Sequence, residues 1–125
     1  MAKNINLTPA EEKLAELIWR EAPLLSPELV AIADREMDWK KSTTYTVLKK
    51  LCDKGVFKNE NTKVSVVLSH DELIARQSQY FVEDTFGGSL PRFITSFMSR
   101  KKLTDEQAAE IRRLIDEHEG GVRNG

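Results

Sequence analysis

Residues 42–68 limit what this 125-residue chain can become more than any other stretch. Placed on a helical wheel at about 100° per residue from Thr44, Val47, Leu48, Leu51 and Cys52 fall between roughly −60° and +80°. Ser42, Thr46, Lys49, Lys50 and Asp53 fall between roughly 140° and 240°. The spacing predicts a helix from near Ser42 to Gly55 with one face in a core and the other made of hydroxyl and ammonium groups. Gly55 suits the left-handed position that follows such a helix. Val56-Phe57-Lys58 then changes to a strand pattern, Asn61-Thr62 reads as a turn, and Lys63-Val64-Ser65-Val66-Val67-Leu68 is β-branched and half alternating. Residues 56–60 and 63–68 are therefore expected as a two-stranded antiparallel hairpin. Two strands alone are marginal in water and must lie on helices.

The helices they need stand upstream. Leu7-Thr8-Pro9-Ala10-Glu11 combines a capping hydroxyl, a proline at the first helical position and a glutamate three residues after the cap. Leu14, Leu17 and Ile18 then share a face, and Pro23 stops propagation, so a first helix ends near Glu21. Ser26-Pro27-Glu28-Leu29 repeats the signal and opens a short helix to about Arg35, bearing Leu29, Val30, Ile32 and Ala33. Three helices followed by a hairpin, the third helix polar and basic outside, is the order of a winged helix-turn-helix.

Charge follows the same division. Residues 1–37 carry a net −3, residues 38–68 a net +4 and residues 69–125 a net −2, against −1 for the whole chain. A chain basic in its middle third can meet a polyanion through that third. A helix fits the DNA major groove, where base edges carry a distinct donor and acceptor code. Ser42, Thr43, Tyr45 and Thr46 offer hydroxyls to bases or phosphates. Lys40, Lys41, Lys49, Lys50 and, on the hairpin, Lys58 and Lys63 can neutralise backbone charge and release counterions. A helix N-terminus adds free N–H groups for a phosphate.

The second half reads as three more helices. Ser69-His70-Asp71-Glu72 is a capping box opening a helix that runs to Phe86 and stops at Gly87-Gly88. Its apolar residues form two stripes, Leu73, Ile74, Tyr80 and Phe81 on one side, Ala75, Val82 and Phe86 nearly opposite. Ser89-Leu90-Pro91 starts a short helix with Phe93, Ile94, Phe97 and Met98 on one face. Thr104-Asp105-Glu106-Gln107 caps a last helix with Ala108, Ile111, Leu114, Ile115 and His118 along one stripe. Residues 120–125 are expected as a disordered tail. About 50 residues without a disulfide or metal make too small a core for so many large apolar side chains. A second copy related by a two-fold axis is the economical partner, its interface drawn from Leu73, Tyr80, Phe81, Phe86, Phe93, Ile94, Phe97, Ile111, Leu114 and Ile115. Packing of these helices back onto the first domain is the alternative. The expected fold class is mostly α with a small β-hairpin: a winged helix-turn-helix domain over 1–70, then a three-helix dimerisation domain over 71–119.

Other chemistries find little in the sequence. A single cysteine, Cys52, excludes an internal disulfide, and two histidines with one cysteine do not make the usual zinc site. No metal or cofactor is expected. No run approaches ~18 apolar residues, and the opening Met1-Ala2-Lys3-Asn4-Ile5-Asn6 lacks the apolar core of a secretory signal, so a cytoplasmic protein is expected. Glu83-Asp84 and Glu11-Glu12 read as solvated helix charges and Gly87-Gly88 as a helix stop, so no enzyme is expected.

The run Ser42-Thr43-Thr44-Tyr45-Thr46-Val47-Leu48-Lys49-Lys50-Leu51-Cys52-Asp53-Lys54-Gly55-Val56, the opening Leu7-Thr8-Pro9-Ala10-Glu11 with Trp19, and Phe86-Gly87-Gly88-Ser89 resemble the penicillinase-repressor family, the BlaI/MecI/CopY type of bacterial transcriptional repressor. The resemblance covers roughly residues 5–118. It implies a winged-helix domain, a C-terminal helical dimerisation domain and binding to palindromic operators on double-stranded DNA, in some members at β-lactam resistance genes. In those members a membrane sensor protease triggers cutting within the dimerisation domain. The matching position here is Ser96-Phe97, with Ser where those relatives carry Asn. No cysteine follows Cys52, unlike the copper-responsive branch, and Val66-Val67-Leu68 replaces the tyrosines common on the returning strand of the wing.

Three readings stay open from sequence: a homodimeric repressor inactivated by cleavage, a repressor released by a small ligand held among Tyr80, Phe81, Phe86, Phe93 and Phe97, and a winged-helix module that binds protein only.

Overall fold

The structure, a computed structural model, describes residues 4–123. Six helices and three short strands follow in the order α1 (Pro9–Glu21), β1 (Leu24–Leu25), α2 (Ser26–Met37), α3 (Lys41–Asp53), β2 (Phe57–Glu60), β3 (Lys63–Val66), α4 (His70–Phe86), α5 (Leu90–Arg100) and α6 (Asp105–Arg123). Packing divides the chain into two compact units meeting at 81/82, inside α4, rather than at 70/71 where the sequence reading drew the boundary. The last helix continues to Arg123, past the expected start of the tail at 120. Residues 1–3 of the opening segment, and Asn124 and Gly125, lie outside the described residues.

The first unit is a winged helix. In α1 the Thr8 hydroxyl accepts from the Glu11 N–H at 3.2 Å and the Glu11 carboxylate from the Thr8 N–H at 3.0 Å, so the capping box closes as its spacing requires. Leu14 and Ile18 of α1, Leu29 of α2, Leu48 and Leu51 of α3 and Val56, Phe57 and Val64 around the hairpin are completely or almost completely buried. Each contributes about 1.5–3 kcal/mol on leaving water, which holds the three helices under the wing. Gly55 closes α3 at φ +84, the left-handed backbone expected of it. The sheet has the order β1-β3-β2, all antiparallel, with Phe57↔Val66 and Glu60↔Lys63 pairing across the Asn61-Thr62 turn. The third strand was not anticipated: Leu24-Leu25 pairs with Val64 and Lys63 along the other edge of β3. Two leucines carry no alternation, and they form a strand only because β3 offers them an unpaired edge.

The first half of α4 belongs to this unit. Leu73 is 3% exposed and packs in the winged-helix core. Its expected place among the dimerisation residues is thereby corrected, because a side chain enclosed by its own chain has no surface left for a second one. His70 stacks on Trp19 at 4.6 Å, and the Trp19 indole N–H donates to the Leu68 carbonyl at 2.9 Å.

A partly buried ion pair also ties the end of α3 to α1. The Lys54 ammonium reaches the Glu11 carboxylate at 2.5 Å and the Asn6 carbonyl at 2.7 Å, and Glu11 is only 3% exposed. Burial alone would raise the Glu11 pKa. The hydrogen bonds from Lys54 and Thr8 outweigh it and hold the carboxyl below its ordinary value. A depressed folded-state pKa stabilises the fold above the unfolded value, and that stability is lost as the pH falls through the folded one. Glu11→Gln is therefore expected to cost about 1–3 kcal/mol at neutral pH and to flatten the decline of stability below the ordinary carboxylate range. Urea unfolding at a series of acid pH values measures this; matching acid profiles for the two proteins would refute it.

The second unit comprises the end of α4 with α5 and α6. Gly87 and Gly88 end α4 at positive φ, and Ser89 caps α5 by accepting from the Arg92 N–H at 3.2 Å. Thr104 and Gln107 form a reciprocal box at 3.0 Å that opens α6. Phe93 meets Phe86 edge-on at 5.7 Å and Phe97 at 6.4 Å. Among the described residues from 82 onward no side chain is buried.

Candidate nucleic-acid interface

One side of α3 is committed to the core through Thr44, Val47, Leu48 and Leu51, and this commitment turns Ser42, Thr43, Thr46, Lys49, Lys50 and Asp53 outward, all exposed. Lys40 is the N-cap residue and makes no side-chain cap; the Lys40 carbonyl takes the Thr44 N–H at 3.1 Å and the Thr44 hydroxyl at 3.3 Å. The first amides of α3 therefore carry the positive end of the helix dipole beside Lys40 and Lys41. Ser42, Thr43, Thr46 and Val47 line a shallow notch of about 200 Å³ near this end.

The individual lysines differ in freedom. Lys49 pairs with Asp53 at 3.2 Å one turn along the helix, with both side chains largely in water, so the pair is weak and readily exchanged for another anion. The Lys41 ammonium lies 6.0 Å from the Tyr45 ring centre. Tyr45 is half-buried and its hydroxyl donates to the Ser26 hydroxyl at 3.4 Å, so it braces α3 against the start of α2 while its ring edges the surface.

On the wing, the strand register puts Lys58, Glu60, Lys63 and Ser65 on one face, opposite Phe57, Asn59, Val64 and Val66. Lys58 and Lys63 thus share a face, with Glu60 bridging to Lys58 at 3.1 Å and lying across from Lys63. The wing offers one net positive charge there. Asn59, Tyr45, Leu48, Lys49 and Cys52 line a cleft of about 370 Å³ where the wing meets α3. Burial, with Asp53 adding to it, pushes the Cys52 thiol up in pKa, which disfavours the thiolate.

Sequence reasoning missed two connections. Lys54 sits in the same basic run but is occupied by Glu11 and Asn6. Ser26 donates its N–H to the Thr62 carbonyl at 2.7 Å, fastening the wing turn to α2. Neither partner is within local reach in sequence, so no spacing could have disclosed them.

The other predicted surface lies on the second unit and the outer side of α4. Tyr80, Phe86, Phe93, Ile94 and Ile111 are half-buried, and Phe81, Phe97, Leu114 and Ile115 are about half exposed. Phe93, Ile94, Phe97 and Leu103 face Ile111 across a cavity of about 540 Å³ between α5 and α6. Ser96 and Phe97 sit in the middle of α5, both exposed. Among the described residues no cluster of His, Cys, Asp or Glu could hold a metal ion, and no helix is long and apolar enough to cross a membrane.

The family model described as penicillinase repressor matches residues 7–117. The chain belongs to the penicillinase repressor family. It is 22% identical over 122 residues to a penicillinase repressor of Bacillus licheniformis, a match covering 94% of this chain and 95% of that one. For this family member the matched residues run through both units.

Proposed function

We propose that this member of the penicillinase repressor family is a homodimeric transcriptional repressor that binds palindromic operators on double-stranded DNA. The observation that supports this best is the outer face of α3, where hydroxyls, lysines and a single carboxylate, Asp53, are exposed while Thr44, Val47, Leu48 and Leu51 on the opposite face are buried. Lys40, Lys41, Lys49 and Lys50, with Lys58 and Lys63 on the wing, contact phosphates; Ser42, Thr43, Tyr45 and Thr46 face base edges. The unburied apolar side chains of the second unit favour a symmetric pair of chains as the way that unit completes its core. Binding in the cytoplasm at resistance or stress promoters silences them by occupancy.

In the members at β-lactam resistance genes, cutting after signalling from a membrane sensor protease is the route to release, and we propose Ser96-Phe97 as the matching position in this chain. Here it would require α5 to open, since proteases take extended chain, and a helix with no buried residue opens at little cost. The half-sites would then lose the link that makes two weak contacts strong.

Lys50 tests the interface. Its ammonium makes no hydrogen bond or ion pair among the described residues and acts on Glu11 only through space, whereas Lys49 shares its charge with Asp53. Lys50→Ala is expected to weaken binding about equally for all sequences and to lower the slope of log affinity against log salt by about 1 per subunit. Fluorescence anisotropy on labelled duplex across a salt series measures it. A slope equal to that of the unsubstituted protein removes Lys50 from the phosphate contacts.

A further inference from the structure

The outer face of α3 is unusual in what it lacks. Between Lys41 and Asp53 there is no Arg, Asn or Gln, the side chains that make two-pronged contacts with guanine or adenine. Base reading by this helix has to come from lysine, hydroxyls and methyl groups. The notch formed by Ser42, Thr43, Thr46 and Val47 is where the last two meet. Val47 supplies an aliphatic surface 8% exposed, Thr43 and Thr46 each bring a methyl beside a hydroxyl, and Ser42 brings a hydroxyl. No lysine lines it, so a phosphate has no cation there; the lysines stand around it instead and hold a duplex against it.

The major groove presents one apolar protrusion to such a surface, the C5 methyl group of thymine. We infer that the Ser42-Thr43-Thr46-Val47 notch seats a thymine methyl in each half-site, making Thr46 and Val47 specificity-determining residues. The inference rests on the DNA-binding reading and adds the base that α3 selects. The hydroxyls of Ser42 and Thr46 serve the edges of neighbouring bases, and Lys50, one turn beyond Thr46 on the same row, reaches the backbone.

The test uses the full-length protein. Binding sites are selected from random duplex DNA by repeated binding and elution, and each thymine of the selected site is then replaced singly by deoxyuridine, which lacks only the methyl group. One thymine per half-site is expected to lose about fourfold in affinity on losing its methyl, the value of one buried carbon. In Thr46→Ser, which keeps the hydroxyl on an exposed position, and in Val47→Ala, that thymine-to-uracil ratio is expected to fall toward one. Because the ratio is taken within each variant, any loss of folding cancels. Selected sites with no methyl-sensitive thymine, or a ratio unchanged in both variants, overturn the notch while leaving DNA binding intact. Failure to enrich any duplex overturns both.

Discussion

Phe97→Asp combined with Ile115→Asp is expected to turn the protein into a monomer and to weaken its hold on a full palindrome by at least about a hundredfold, while a single half-site is bound as before. Both side chains are about half exposed in the single chain, at 48% and 52%, so the carboxylates meet water there and the fold of one subunit survives. In a symmetric pair the same carboxylates would enter an apolar contact without a counter-charge, which is strongly unfavourable. The affinity difference arises without touching α3, because a linked second half-site binds at the high effective concentration set by the first. Sedimentation equilibrium and titration of whole and half operators measure the two parts. An unsubstituted protein that sediments as a monomer at micromolar concentration, or a variant that binds the whole palindrome undiminished, would refute the dimer.

Phe57→Ala is expected to be the most damaging single core change, costing about 3–5 kcal/mol. Phe57 is 1% exposed at the root of the wing, with its ring 5.4 Å from Trp19, and its backbone pairs β2 with Val66 of β3. Removing the ring leaves a cavity under the sheet and frees Trp19 on one side. Against a usual total of about 5–15 kcal/mol such a loss brings a small domain close to unfolding at ambient temperature. Urea titration should show a lowered midpoint at unchanged slope; a shift worth less than about 1 kcal/mol would mean that the wing does not depend on this ring.

Much of the fold was legible because its signals are local. Thr8 with Glu11, Ser69 with Glu72 and Thr104 with Gln107 all close the boxes that their three-residue spacing announces. The two faces of α3 followed from period alone, since nine of its residues sort cleanly by angle. What stayed hidden depends on residues far apart in the chain. Leu24-Leu25 becomes a strand only beside Val64 and Lys63. Leu73 lies on a stripe whose period says that it is buried and not against what, and the answer is the winged-helix core. Lys54 looked like one more basic residue beside Lys49 and Lys50 until Glu11, 43 positions away, was seen to hold it.

The attachment of Ser26 to the Thr62 carbonyl, with β1 along the adjoining edge, has a consequence for how the wing meets its target. A loose hairpin would have to surrender its freedom of movement on contact and bind more weakly for it. Here the backbone is already fastened from within, so in the proposed complex the strands that carry Lys58 and Lys63 would have little ordering left to do, and the net single positive charge of that face would cost little entropy to place.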